Sequence, residues 1–191
     1  MIELKGNWKS GYAFDLHSLY SLYLGDNGYG RPTYDTKRTV MGDAVYKLKY
    51  QYDKQQLLKI KDLLQDDPNF LAFIQNIDII LSIPPTIKRD FQPVTEIAKQ
   101  IAKTFQKSFL ENVLSSTNTQ QMKNVPTEKK YKTISDTVTI DFSKLNKNLH
   151  YLIIDDLYDS GSTLKAYVDK FVQNGYDKVS VFTLTKTRIS D

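Results

Sequence analysis

The chain contains no cysteine in its 191 residues. Disulfide cross-links and thiolate zinc sites are therefore excluded, and with them the small secreted scaffolds that depend on disulfides. Histidine is scarce. His17 and His150 are the only two, too few for a histidine-rich metal centre. Long apolar runs are also missing, since none approaches the roughly 20 residues needed to cross a bilayer. The opening residues, MIELKGNWKSGYAF, lack the apolar core of a signal peptide. The expected location is cytoplasmic, with no membrane partner. The GxxxxGK[ST] phosphate loop and the GxGxxG dinucleotide turn are absent too.

What remains describes a folded domain. The hydrophobic fraction is 40% and the charged fraction 25%, ordinary values for a globular chain. The length suits one domain with a sizeable core, or a core with a small appendage. The net charge of +4 is compatible with a nucleic-acid surface and equally with a site for a polyphosphate metabolite.

Residues 1–40 are rich in tyrosine and punctuated by Gly25, Gly28 and Gly30, which mark turns. They are expected to form a small hood or cap segment. Half-buried rings are the simplest use of its tyrosines; stacking on a flat ligand is the functional one. From residue 41 to 64 apolar residues fall at helical spacing, with a break near Tyr52 and Asp53. The isoleucine-rich run 77–83 stops at Pro84-Pro85 and predicts a buried strand followed by a turn. A long amphipathic helix is predicted over 94–114, with Ile97, Ala98, Ile101, Ala102, Phe105 and Phe109 on one stripe. Residues 115–137 are polar, lysine-rich and without a hydrophobic period, so they are expected to be functional or disordered. Val138-Thr139-Ile140 is a short strand candidate. A helix over 162–173 with Gly175 as its stop, and a last strand over 178–185, complete an alternation of strands and helices. That order implies an α/β fold: a mostly parallel sheet flanked by helices, spanning residues 41–191.

One stretch carries the chemistry: YLIIDDLYDSGSTLK, residues 151–165. An apolar strand runs into Asp155 and Asp156, and the carboxyl edge of a parallel sheet is where such folds bind ligands. Asp159, Ser160, Gly161, Ser162 and Thr163 then lead into a helix whose apolar stripe is Leu164, Tyr167, Val168, Phe171 and Val172. Free amides and the helix dipole at such a turn favour an anion. Gly161 permits close backbone approach. The carboxylates repel a phosphate and suit neighbouring hydroxyls, directly or through Mg2+. A phosphate beside a vicinal diol is a ribose 5-phosphate.

These residues resemble the signature of the type I phosphoribosyltransferases for 5-phosphoribosyl 1-pyrophosphate (PRPP). The resemblance implies that Asp155 and Asp156 hold the ribose hydroxyls, and that residues 159–163 wrap the 5-phosphate. RTVMGDAVYKLKYQYD and ILSIPPTIKRDFQPVTEIAKQIA look nearest the competence-type, ComF-like branch of that family. On that likeness Pro85, Thr86, Lys88 and Arg89 face the pyrophosphate, and the segment 115–137 is the family's flexible lid, offering Lys123, Lys129, Lys130 and Lys132; a solvated surface is the competing explanation for each of these four lysines. The implied activity is transfer of phosphoribose from PRPP to a nitrogenous base, with Mg2+ as cofactor and loss of pyrophosphate.

The sequence departs from the branch in three ways. The four-cysteine zinc ribbon often found there is excluded. Asp159 stands where threonine is common; in 6-oxopurine enzymes of the family an aspartate handles the purine N7 proton. Lys186 ends the last strand where those enzymes place a lysine on the base's exocyclic oxygen. The hood is expected from residues 1–40. Two rival readings stay open. One is a PRPP or nucleotide sensor without turnover. The other is a DNA-uptake accessory binding single-stranded nucleic acid through lid lysines and exposed rings. A phosphatase-like use of Asp155 is disfavoured, because adjacent acids on a strand face opposite ways. A homodimer is a further candidate assembly, and the acceptor base is left open.

Overall fold

Eight residues, YLIIDDLY, form the strand at the centre of the molecule, Tyr151–Tyr158. Its first four side chains are fully buried, as a parallel strand covered on both faces requires. The structure is a computed structural model and describes residues 1–87, 90–117 and 127–188. In chain order the strands are β1 (Ile2–Glu3), β2 (Gly11–Leu16), β3 (Ser18–Asp26), β4 (Pro32–Arg38), β5 (Ile79–Ser82), β6 (Ser108–Phe109), β7 (Leu114–Ser116), β8 (Val138–Ile140), β9 (Tyr151–Tyr158) and β10 (Val179–Lys186). The helices are α1 (Val40–Tyr50), α2 (Gln56–Gln65), α3 (Pro68–Gln75), α4 (Pro93–Thr104), α5 (Thr127–Thr137) and α6 (Ser162–Gln173).

The main sheet runs β1-β2-β10-β9-β5-β6. β2, β10, β9, β5 and β6 are mutually parallel, and only β1 is antiparallel to its neighbour. This is the expected α/β architecture of a mostly parallel sheet flanked by helices. The pleat of β9 divides the core. Tyr151 and Ile153 pack with Leu164, Tyr167, Val168 and Phe171 of α6. Leu152 and Ile154 pack on the other face with Leu48 of α1, Ile60 of α2, Phe70 of α3 and Ile97 of α4. Each such buried side chain contributes roughly 1.5–3 kcal/mol relative to exposure.

Local signals set the helix boundaries. Thr39 caps α1 by accepting from Gly42 N at 2.9 Å, and its hydroxyl donates to Leu16 O at 2.6 Å. Gly42 lies so close to the chain after β2 that a Cβ there would sit 2.0 Å from His17 O. Asp67 caps α3, with Pro68 in the first turn. Gly175 (φ 78°) follows the end of α6.

Three segments differ from the sequence reading. The helix expected over 94–114 ends at Thr104. Gln106 turns left-handed (φ 54°) and residues 108–109 become an edge strand parallel to β5. Phe105 and Phe109 still pack on the α1–α4 side of the core, so they kept a helical spacing without a continuous helix. Within 115–137, residues 127–137 form α5. This helix lies against α6 through Tyr131 and buried Ile134; too few apolar anchors are present to show a period. Val138–Ile140 is a strand, but it pairs antiparallel with β7 in a separate two-stranded sheet.

The first forty residues serve two purposes. β1 and β2 extend the main sheet, while β3 and β4 form an antiparallel hairpin. That hairpin exposes Leu22, Tyr23, Leu24 and Tyr29. Among the described residues no helix is long and apolar enough to cross a membrane.

Candidate functional site at the carboxyl edge of the sheet

Because the central strands are parallel, their carboxyl ends share one edge. Four features meet there: the end of β9 with its two aspartates, the turn into α6, Lys186 at the end of β10, and the β5 exit through Pro84 and Pro85. The β3–β4 hairpin leaves from the same edge, after β2.

The two aspartates face opposite sides of the sheet, continuing the alternation of β9. Asp156 is 6% exposed, and its Oδ2 lies 2.5 Å from Lys49 Nζ on α1. Burial pulls the Lys49 ammonium down, but the charge and hydrogen bond of Asp156 outweigh it and the net shift is upward. The Asp156 carbonyl accepts from Thr185 Oγ1 at 3.1 Å, and Thr185 in turn meets His17 Nδ1 at 3.2 Å. Burial, followed by the Arg38 guanidinium, lowers the His17 pKa.

Asp155 is turned to the α6 face. The residue as a whole is half-buried, but its carboxyl group is enclosed. Its pKa is pushed up to about 8, first by burial and then by the charge of Asp156, although the Asp156 amide donates to its Oδ1 at 2.8 Å. Thr183 stands beside it in register on β10. The Thr183 hydroxyl is wholly buried and has no hydrogen-bond partner. A buried carboxyl group that is readily neutral and an unsatisfied hydroxyl thus sit side by side, a perturbed polar pair of the kind found at functional sites.

The turn into α6 has the geometry of an anion cradle. Gly161 adopts φ 72° immediately before the helix, with no side-chain cap occupying the free amides. Ser160 and Ser162 share a hydroxyl contact of 2.9 Å. Asp159 is exposed and accepts from Thr187 Oγ1 at 3.3 Å. Tyr158 lies across the turn: a Cβ on Gly161 would meet the Tyr158 hydroxyl at 2.4 Å.

The structure therefore brings together Asp155, Asp156, residues 159–163 and Lys186. Pro85 and Thr86 are exposed in the loop after β5. Lys132 is exposed on α5. Lys88, Arg89 and Lys123 lie outside the described residues, as do the side chains of Lys129 and Lys130. The sequence reading missed Lys49, Thr183 and Tyr158. Lys49 looks like an ordinary polar position of a helix, 107 residues from its partner. Among the described residues no group of three or more histidines or acids is placed to hold a metal ion.

The fold is that of the type I phosphoribosyltransferases. A solved adenine phosphoribosyltransferase superposes with a TM-score of 0.51 at 10% identity, over 88% of this chain and 86% of that one. Two others align less well. The enzyme of Trypanosoma brucei, solved with AMP, pyrophosphate and ribose-5-phosphate, gives 0.43 at 15% identity over 87% of this chain and 75% of its own. That of Leishmania tarentolae gives 0.41 at 12% over 87% and 83%. No family model and no characterised protein matches the sequence itself. The likeness is one of fold, and nothing in these comparisons speaks for the ComF-like branch.

Proposed function

We propose that the chain binds PRPP with Mg2+ at this edge and transfers its phosphoribosyl group to a nitrogenous base, releasing pyrophosphate. The observation that carries the reading is the uncapped, left-handed Gly161 turn at the start of α6, adjoining Asp155 and Thr183 on one edge of a phosphoribosyltransferase fold. The backbone amides and hydroxyls of residues 160–163 would hold the 5-phosphate. Asp155 would meet the ribose hydroxyls, with Thr183 buried beside it, and Asp156, held by Lys49, would fix the end of the strand behind them.

The donor set fits Mg2+ only in a supporting sense. Asp155 and Asp156 diverge, and among the described residues no cluster of three acidic or histidine ligands stands by, so the ion would be held mainly by oxygens of PRPP, with Asp155 the nearer carboxylate. When bound, it would supply positive charge against the departing pyrophosphate. Pro85, Thr86, Lys88 and Arg89, with lid lysines 123, 129, 130 and 132, would serve the same charge. A ring nitrogen attacks C1, the C1–O bond breaks with its electron pair on pyrophosphate, and a proton on the nitrogen passes to Asp159. Lys186 and the exposed β3–β4 hairpin would recognise the base, the hairpin acting as the hood.

A second reading, PRPP binding without turnover, draws on the engagement of Asp156 by Lys49, which ties one of the two strand-end aspartates to α1. Calorimetry with PRPP and Mg2+ tests the common part of both. Saturable binding is expected in the wild-type chain and lost in a folded Asp155→Asn, Asp156→Asn variant. Unchanged affinity in that variant contradicts the assignment of the site.

A further inference from the structure

A second cavity opens at the opposite, amino edge of the sheet. It offers about 860 Å3 and is open to solvent, within the range of volumes that small-molecule sites occupy. It lies where the chain enters β5, β9 and β10, at Asp78, His150 and Lys178, and so is separated from Asp155 and the Gly161 turn by the length of the strands.

The walls differ in chemistry. One face of α3 contributes Asn69, Ala72 and Phe73, and the residue that caps its carboxyl end, Asn76, continues that face. The Phe73 ring meets Tyr12 of β2 edge to face, with centroids 5.2 Å apart, and both line the cavity. Both rings are half-buried, so they form a partly sheltered aromatic back with two carboxamides beside it. Lys9 and Lys178 supply positive charge, and neither is ion-paired with a carboxylate among the described residues. Both ammonium groups bear on the same imidazole, that of His150, whose pKa burial lowers first and the Lys9 charge next. Asp78 is the one acid in the lining; its Oδ2 is engaged by the backbone N–H of His150 at 2.8 Å. His150 itself is tied through Nε2 to Ser180, and Ser180 to Ser10, each at 2.8 Å. The cationic side thus stands on a fixed hydrogen-bonded base.

We infer that this cavity is a second binding site, taking a small phosphorylated ligand with a planar nitrogenous ring: a nucleoside monophosphate or a compound of that chemistry. The phosphate belongs with Lys9 and Lys178, the ring with Tyr12 and Phe73, and ring-edge donors and acceptors with Asn69 and Asn76. The inference does not depend on the transferase reading, because none of its residues takes part in the carboxyl-edge site.

Photolabelling of the full chain with 8-azido-AMP, followed by peptide mapping, tests it. Label is expected in peptides carrying residues 69–78, and excess ribose 5-phosphate, which the Gly161 turn should take, is expected not to protect them. Lys9→Ala with Lys178→Ala removes only side chains at the cavity mouth and should weaken AMP binding by about tenfold or more, the loss of charge-assisted hydrogen bonds. Label confined to residues 155–163, AMP affinity unchanged in the double lysine variant, or competition by inorganic phosphate as effective as by AMP would each overturn the assignment. Failure of PRPP to bind the wild-type chain would count against the proposed function and leave this result untouched.

Discussion

The ammonium of Lys49 lies 2.5 Å from Asp156 Oδ2, joining the last turn of α1 to the carboxyl end of the central strand. Asp156 is almost fully buried and its partner about one-third exposed, so the pair is neither a surface ion pair of negligible worth nor a fully dry one. It fixes one of the two adjacent aspartates and leaves the other to the opposite face.

Removing the lysine strands a buried carboxylate. Lys49→Met is expected to cost about 2–3 kcal/mol in urea unfolding, less than for a fully buried pair because water reaches the ammonium. Adding Asp156→Leu should recover part of that loss, since both charges are then gone. A loss in the double variant equal to the sum of the two single losses would show that the pair is not coupled.

Asp155 makes stability depend on pH in the opposite sense to a salt-bridged acid. Its folded pKa of about 8 lies above the unfolded value of roughly 3.9. Its contribution is therefore fully present below about pH 4 and is lost as pH rises through 8. Asp155→Asn should flatten the fall in thermal midpoint between pH 5 and 8 and raise stability at pH 8, by on the order of a few kcal/mol. A wild-type profile identical to that of the variant would show that Asp155 titrates normally.

Gly161 carries both the left-handed backbone and the open approach to the turn. Gly161→Ala is expected to cost about 1 kcal/mol through φ 72° and to displace the Tyr158 ring. Ribose 5-phosphate affinity, read by calorimetry, should fall more than stability does. Retained affinity would place the phosphate elsewhere.

Gly42 sets how closely α1 approaches the end of β2. Gly42→Ala places a Cβ 2.0 Å from His17 O, a backbone atom that cannot rotate away. A loss of about 3 kcal/mol is expected, with weakened Lys49–Asp156 coupling because α1 must shift. A neutral result in chemical denaturation would mean that the helix has slack at this point.

The parts of the molecule legible in the sequence were those whose patterns were dense. β9 reads as a near-continuous apolar run, and α6 as a stripe of Leu164, Tyr167, Val168 and Phe171. The turn between them was visible because Gly161 and its hydroxyl neighbours have few other reasons to stand before a helix. α5 escaped notice because Tyr131 and Ile134 are its anchors against α6, too few to reveal a period. Residues 94–114 misled for the converse reason: Phe105 and Phe109 hold helical spacing yet reach the same core from a turn and an edge strand. Lys49, Thr183 and Tyr158 acquire meaning only when the fold sets them beside Asp156, Asp155 and Gly161, and no local signal in the sequence announces such pairings.

Phosphoribosyl transfer at the carboxyl edge of the sheet is the proposed reaction. Pyrophosphate release from PRPP and Mg2+, measured with a panel of purine, pyrimidine and nicotinate-type bases against an Asp159→Asn control, tests it most directly. Release with one class of base, and its loss in the control, is expected. No release with any base, from a chain that still binds PRPP, would contradict transfer and favour binding without turnover.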